Sequence, residues 1–162
     1  MRRPRSAAII ALTSALLSTG VFVPPAIAAS PRNVVFISAK AHIKDDERRR
    51  DDIGDHTTER KLRLPDDNFF LWRPCQGGEV VAYTELVANP LYDGWIRVRW
   101  AVQLREGTSC HSLDVERHLV QIFDVKPGAE VKRSLRVETA ERRSDDYALV
   151  EITVRNELVN AR

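Results

Sequence analysis

From Gly94 to Arg105 the chain alternates between apolar and polar residues without a break. Ile96, Val98, Trp100, Val102 and Leu104 fall on one side, and Arg97, Arg99, Ala101, Gln103 and Arg105 on the other. A period of two is the spacing of a strand, because successive side chains leave a pleated backbone on opposite faces. Wound as a helix, the same residues would scatter their apolar atoms around the whole circumference. An apolar face of that length has to be covered, so the segment demands a second layer packed against it.

The rest of the chain supplies that layer. Ala148, Val150, Ile152 and Val154 share one face of a second alternating segment, opposite Leu149, Glu151, Thr153 and Arg155. Shorter strands are predicted at 34–43, 61–64, 69–72, 79–87, 118–125 and 131–138. Asn89-Pro90 and Asp93-Gly94 lead into the long strand. Lys126-Pro127-Gly128-Ala129 places Pro and Gly at the two central positions of a type II turn. Many short strands separated by turns predict an all-β, antiparallel sandwich. The stretch from Trp95 to Asn156, with its alternating strands and Pro-Gly turn, resembles immunoglobulin-like sandwiches. Such a resemblance implies architecture and carries no function.

The N-terminus has a different logic. Arg2, Arg3 and Arg5 precede an uncharged stretch from Ala7 to Val23, then Pro24-Pro25 and the small residues of Ala26-Ile27-Ala28. This is the tripartite pattern of a secretory signal, with cleavage expected after Ala28. Thr13, Ser14, Ser18, Thr19 and Gly20 interrupt the apolar run and make it a poor permanent span. The expected product is a single domain over 29–162, secreted or periplasmic, with no membrane attachment. Its 134 residues suffice to bury a core. Cleavage also removes three arginines, leaving 22 basic against 23 acidic residues. A balance so even gives no general electrostatic reason to bind nucleic acid. Cys75 and Cys110 both lie in the mature part, and two cysteines in an exported chain predict one disulfide.

One segment breaks the alternating pattern. Lys44 to Asp52 is an unbroken run of charge, and polarity continues to about Arg60. With no apolar face to bury, the region 44–60 is expected to be a solvated surface loop.

Catalytic signatures are missing. No nucleophile-elbow motif surrounds a serine. Ser109 and Ser112 flank His111, but near neighbours along a strand or turn do not generally aim at one another. Cys75 and Cys110, if paired, are not nucleophiles. His42, His56, His111 and His118 form no zinc-type spacing. Asp51, Asp52 and Asp55, Asp66-Asp67, and Asp145-Asp146 are acidic enough to raise calcium, but they fit no EF-hand spacing and Asp is a common turn residue. Neither a metal nor a cofactor is expected. The same balance favours core or sheet packing for Trp72, Trp95 and Trp100, and cross-strand pairing for Arg97, Arg99 and Arg105 with acids such as Glu85 or Glu116.

These readings point to a secreted, non-enzymatic binding or structural module, expected to be monomeric, with an unknown protein or glycan ligand. A small hydrolase with its site in the loops near Cys75 and Cys110 is one alternative. An inhibitor or effector docking through an exposed loop is another. The expected working surface is where the disulfide joins two loops: Trp72, Arg73, Gln76, Glu106 and His111. Loops on a rigid scaffold vary freely, and a bridge lowers the ordering cost of binding.

Overall fold

The computed structural model describes residues 31–46, 51–139 and 145–160. The expected signal peptide lies outside them. Nine strands follow in order: β1 (Arg32–Asp46), β2 (Asp51–Arg63), β3 (Phe69–Trp72), β4 (Cys75–Gln76), β5 (Val80–Pro90), β6 (Ile96–Ser109), β7 (Ser112–Val125), β8 (Glu130–Glu138) and β9 (Tyr147–Val159). A one-turn 3-10 helix, Tyr92–Gly94, links β5 to β6. All pairings are antiparallel. One sheet runs β2-β1-β9-β8 and the other β3-β5-β6-β7, with β4 continuing the β3 edge beside β5. No helix among the described residues is long and apolar enough to cross a membrane.

The two sheets pack face to face as a sandwich. Ile96, Val98, Trp100, Val102 and Leu104 from one meet Val35, Ile37, Val150, Ile152 and Val154 from the other in a single buried cluster. The period-two face of β6 is thus the centre of the core. The Pro-Gly turn after β7 is also as predicted: Gly128 has φ +74°, and the Ala129 amide donates to the Lys126 carbonyl at 3.2 Å. The immunoglobulin likeness stops at the architecture. Immunoglobulin constant domains place their first strand at a sheet edge, and antibody domains join the two sheets by a disulfide. Here β1 lies between β2 and β9, and the disulfide connects two parts of one sheet.

The charged segment corrects an expectation. It is largely strand: β1 runs through Lys44, Asp45 and Asp46, and β2 starts at Asp51 and continues through Arg60 to Arg63. Residues 47–50 lie outside the described residues. The cause is pairing. Position by position, Ile43 to Asp46 meet Gly54 to Asp51, so the ladder satisfies the backbone; aspartates face each other at Asp45–Asp52 and Asp46–Asp51, and Lys44 offsets them from a diagonal position. Lys44 Nζ stands 3.3 Å from Asp51 and 3.9 Å from Asp46. Desolvation works against its charge, but Asp51, Asp46 and Asp145 more than offset that and hold the ammonium above the ordinary lysine value. His42 Nδ1 donates to Asp55 at 2.9 Å. An edge strand needs little apolar surface, and in β2 only Leu62 is buried.

At the end of the sandwich where β1 and β6 begin, a buried amide network joins the sheets. Asn33 and Asn156 are both buried. Asn33 Nδ2 donates to Asn156 Oδ1 at 2.8 Å and to the Gly94 carbonyl at 2.6 Å. Asn156 Nδ2 donates to the carbonyls of Gly94 and Val125 at 2.9 and 3.1 Å. Neutral amides with several partners each meet the requirement that buried polar groups be bonded.

Candidate functional site

The opposite end of the sandwich carries the disulfide. Pro74 interrupts the edge strand between β3 and β4, having no amide hydrogen to offer the ladder, while its carbonyl accepts from Ala82 at 3.1 Å. The chain then pairs for two residues, Cys75 with Val81 and Gln76 with Val80, and turns at Gly77 and Gly78. Gly77 has φ +63°, and a Cβ there would run into the Asp45 carboxylate. Glycine is therefore required at this position on two counts. Cys75 bonds to Cys110, at the tip of the β6–β7 hairpin, with 6.1 Å between Cα atoms. The bridge fastens the short strand β4 to that tip.

The five residues expected to form one surface around the bridge have five different settings. Trp72 is half-buried and packs against the core, so it offers no open stacking platform. Its position opposite buried Thr84 turns it to the inner side of the sheet. Gln76 is held at the junction of the two sheets: it accepts from His56 Nε2 at 3.1 Å and donates to Asp52 at 2.8 Å. Glu106 lines a cleft of about 260 Å³ between the sheets, with Asp45, Glu79, Gly107, Asp114 and Asp146. His111 is exposed at the hairpin tip. Only Arg73 combines exposure with an organised neighbourhood.

That neighbourhood is an aromatic–cation stack. The Arg73 guanidinium lies 4.7 Å from the ring centre of Tyr83 and donates to its hydroxyl at 3.3 Å. The Arg105 guanidinium lies 3.9 Å from the same ring centre and is steadied by two bonds to Gln103 Oε1, at 3.0 and 2.6 Å. Tyr83 opposes Gln103, and Gln103 opposes His118, so the stack sits in a cross-strand row on the outer face. Among the residues whose side chains are described, neither Arg73 nor Arg105 has a carboxylate within ion-pair distance.

Arg97, on the same face of β6, shows the contrast. Its guanidinium makes two parallel bonds to Asp124, at 2.8 and 2.9 Å, from the directly opposite position on β7. The hydrogen bond from Arg97 holds the Asp124 carboxyl below the ordinary aspartate value, and Asp124 in turn raises Arg97. Cross-strand pairing was the expectation for this arginine. The partner is Asp124 rather than Glu85 or Glu116, because register and not sequence distance selects it.

The loop acids are committed to cross-strand and local pairs. Asp66 meets Arg32 at 3.2 Å, Asp67 meets Arg60 at 3.4 Å, and Asp55 meets His42 and Lys40. Tyr83 is the residue that sequence reasoning passed over. Its signal was faint: one aromatic on the outward side of a strand, meaningful only once Arg73 and Arg105 are placed on either hand.

No protein-family model matches the chain, and no curated protein matches it. Among solved structures it is similar to the membrane-proximal domain of mouse lysosome-associated membrane protein 1. The identity is 11% and the TM-score 0.28, over 85% of this chain and 92% of that one. It is also similar to the Salmonella SPI-1 type III secretion injectisome secretin InvG, at 10% identity and a TM-score of 0.26, over 82% of this chain and 62% of that one. At these scores neither similarity carries an argument about this chain.

Proposed function

We propose that the protein is an exported binding module that holds a carboxylate- or sulfate-bearing ligand on the outer face of the β3-β5-β6-β7 sheet, beside the Cys75–Cys110 bridge. The observation that carries this reading is the Arg73–Tyr83–Arg105 stack. Two guanidiniums on one ring, without an acidic partner among the residues whose side chains are described, keep for an external acceptor the donors that Gln103 and the Tyr83 hydroxyl do not use. A guanidinium edge matches a carboxylate or sulfate with two parallel bonds. The ring and Gln103 hold both groups in place before the ligand arrives, which lowers the ordering cost of binding. Export accords with the signal-like N-terminus and with a disulfide, a bond that persists in oxidising compartments.

The test is retention on immobilised polygalacturonate and dextran sulfate, with neutral dextran as the control and an acidic peptide as the protein-like arm. Retention by at least one anionic matrix should fall when Arg73→Gln and Arg105→Gln are combined, and it should survive Arg97→Gln. Equal loss in both variants would reduce the effect to general surface charge. Absence of retention on every anionic matrix would remove the proposal.

A further inference from the structure

The strand β7 ends its sheet. It pairs with β6 on one side, while the chain leaves through the Pro127-Gly128 turn into β8 of the opposite sheet, and no ladder joins β7 to β8. Sheet edges are usually protected by charge, bulges or shortness. Here a bulge is present at one end, where Leu104 pairs with Arg117 and Arg105 with Val115. Beyond it, Arg117–Val125 is a regular edge segment of nine residues, each paired in sequence with β6. Its outward side presents His118, Val120, Ile122 and Asp124. Val120 is 41% exposed and Ile122 64%.

We infer that this segment is a self-association edge, and that its occupant is β7 of a second copy, laid antiparallel about a two-fold axis at Gln121. The sequence of the segment is complementary to its own reverse in that register. Val120 meets Ile122 of the second copy and Ile122 meets Val120, which joins two exposed apolar pairs into one row. On the inner side Leu119 meets Phe123, both already half-buried. At the ends of the outward row His118 meets Asp124, an aspartate held ionised by Arg97. Arg117 meets Val125, so the pairing uses the whole regular segment and stops at the bulge. A perpendicular two-fold preserves the outward and inward faces of both copies, as isologous pairing of two sheets requires.

The neighbouring face-preserving registers are worse. An axis at Val120 puts Ile122 against His118 and drives the pairing into the bulge. An axis at Ile122 puts Val120 against Asp124. Strand addition of this kind draws affinity from backbone hydrogen bonds and specificity from alternate side chains. The result would be a continuous sheet across two protomers, with an Arg73–Tyr83–Arg105 stack on each half of one outer face. This departs from the monomer expected from sequence.

The experiment is sedimentation velocity and light scattering of the full gene product, expressed with its own N-terminus and purified in the form the cell yields. A concentration series should show the mass rising toward twice that of one protomer. Ile122→Lys should hold the mass at one protomer throughout, and His118→Asp should weaken association by setting aspartates opposite one another. Both positions are exposed, so thermal unfolding should stay close to wild type and separate lost association from lost fold. Phe69→Lys, on the same face but at the β3 edge, should leave association unchanged. A single-protomer mass at all concentrations would overturn the inference. So would association indifferent to Ile122→Lys and His118→Asp, or association lost with Phe69→Lys in their place.

Discussion

The two ends of the sandwich are held by different means. Where β1 and β6 begin, Asn33 and Asn156 fasten the sheets with neutral hydrogen bonds in a buried setting. Where β1 and β6 finish, a covalent bridge ties two parts of one sheet, and the side chains near it are charged: Asp45, Glu106, Asp114, Asp146, Arg73 and Arg105. Neutral amides are cheap to bury when bonded, whereas ionised groups resist burial. Two of these acids, Asp45 and Asp146, are buried nonetheless, so this end combines buried and exposed charge. The disulfide ties the β4 edge to the β6–β7 tip beside them. One end coheres through neutral amides, and the other sets a covalent bridge among charged side chains.

That contrast can be broken, and the largest effect should come from the covalent end. Replacing both Cys75 and Cys110 with Ser frees a loop of 35 residues, and chain-entropy arithmetic sets the loss near 4 kcal/mol as an upper figure. Urea denaturation measures it. Hydrogen exchange should rise first at Gln76, Val80 and the β6–β7 tip, while amides near Gly94 and Val125 remain protected. Uniform acceleration would mean the ends are one cooperative unit.

Asn156→Ala tests the neutral end. It removes the bonds to the Val125 and Gly94 carbonyls and one partner of Asn33, so a cost of about 3 kcal/mol is expected, because buried polar groups left without partners are expensive. Ligand retention at the far end should not change in the protein that remains folded.

The smallest effect is electrostatic. Asp124 has its pKa lowered by folding, so its contribution is complete above the ordinary aspartate range and is lost as pH falls through the depressed folded value. Asp55, lowered by its bond from His42, follows the same sign. Carbon-detected titration should place the Asp124 midpoint below that of a free aspartate, and Arg97→Gln should return it toward the ordinary value. An unmoved midpoint would show that Arg97 does not hold the carboxylate in solution.

The amount of this that the amino-acid order discloses differs by element. In β6 and β9 the apolar period is also the burial period, so Trp100, Val102, Val150 and Ile152 could be assigned to the core directly. In β2 it is not. An edge strand held largely by ladder bonds has no apolar row to advertise it, and only its last residues, within the segment predicted at 61–64, were legible as strand. The bridge followed from cysteine count and compartment. The Arg73–Tyr83–Arg105 stack did not, because it depends on a register that aligns β5 with β6, and register is a property of pairs of strands. The amide network was equally hidden: Asn33 and Asn156 are 123 positions apart, and neither sits in a motif.

The position of β1 has a consequence for how the chain is made. One side of its ladder, to β2, forms from the next residues along the chain, but the other belongs to β9, the last strand. A polypeptide emerging N-terminus first holds β1 half-paired until almost all of it has been delivered, and the apolar face of β6 waits as long for Val150, Ile152 and Val154. Closure of the sandwich is thus postponed to the end of synthesis or transit. Contacts of such long range are slow to form, and a chain that cannot lock early stays threadable, which suits passage through a narrow channel before folding.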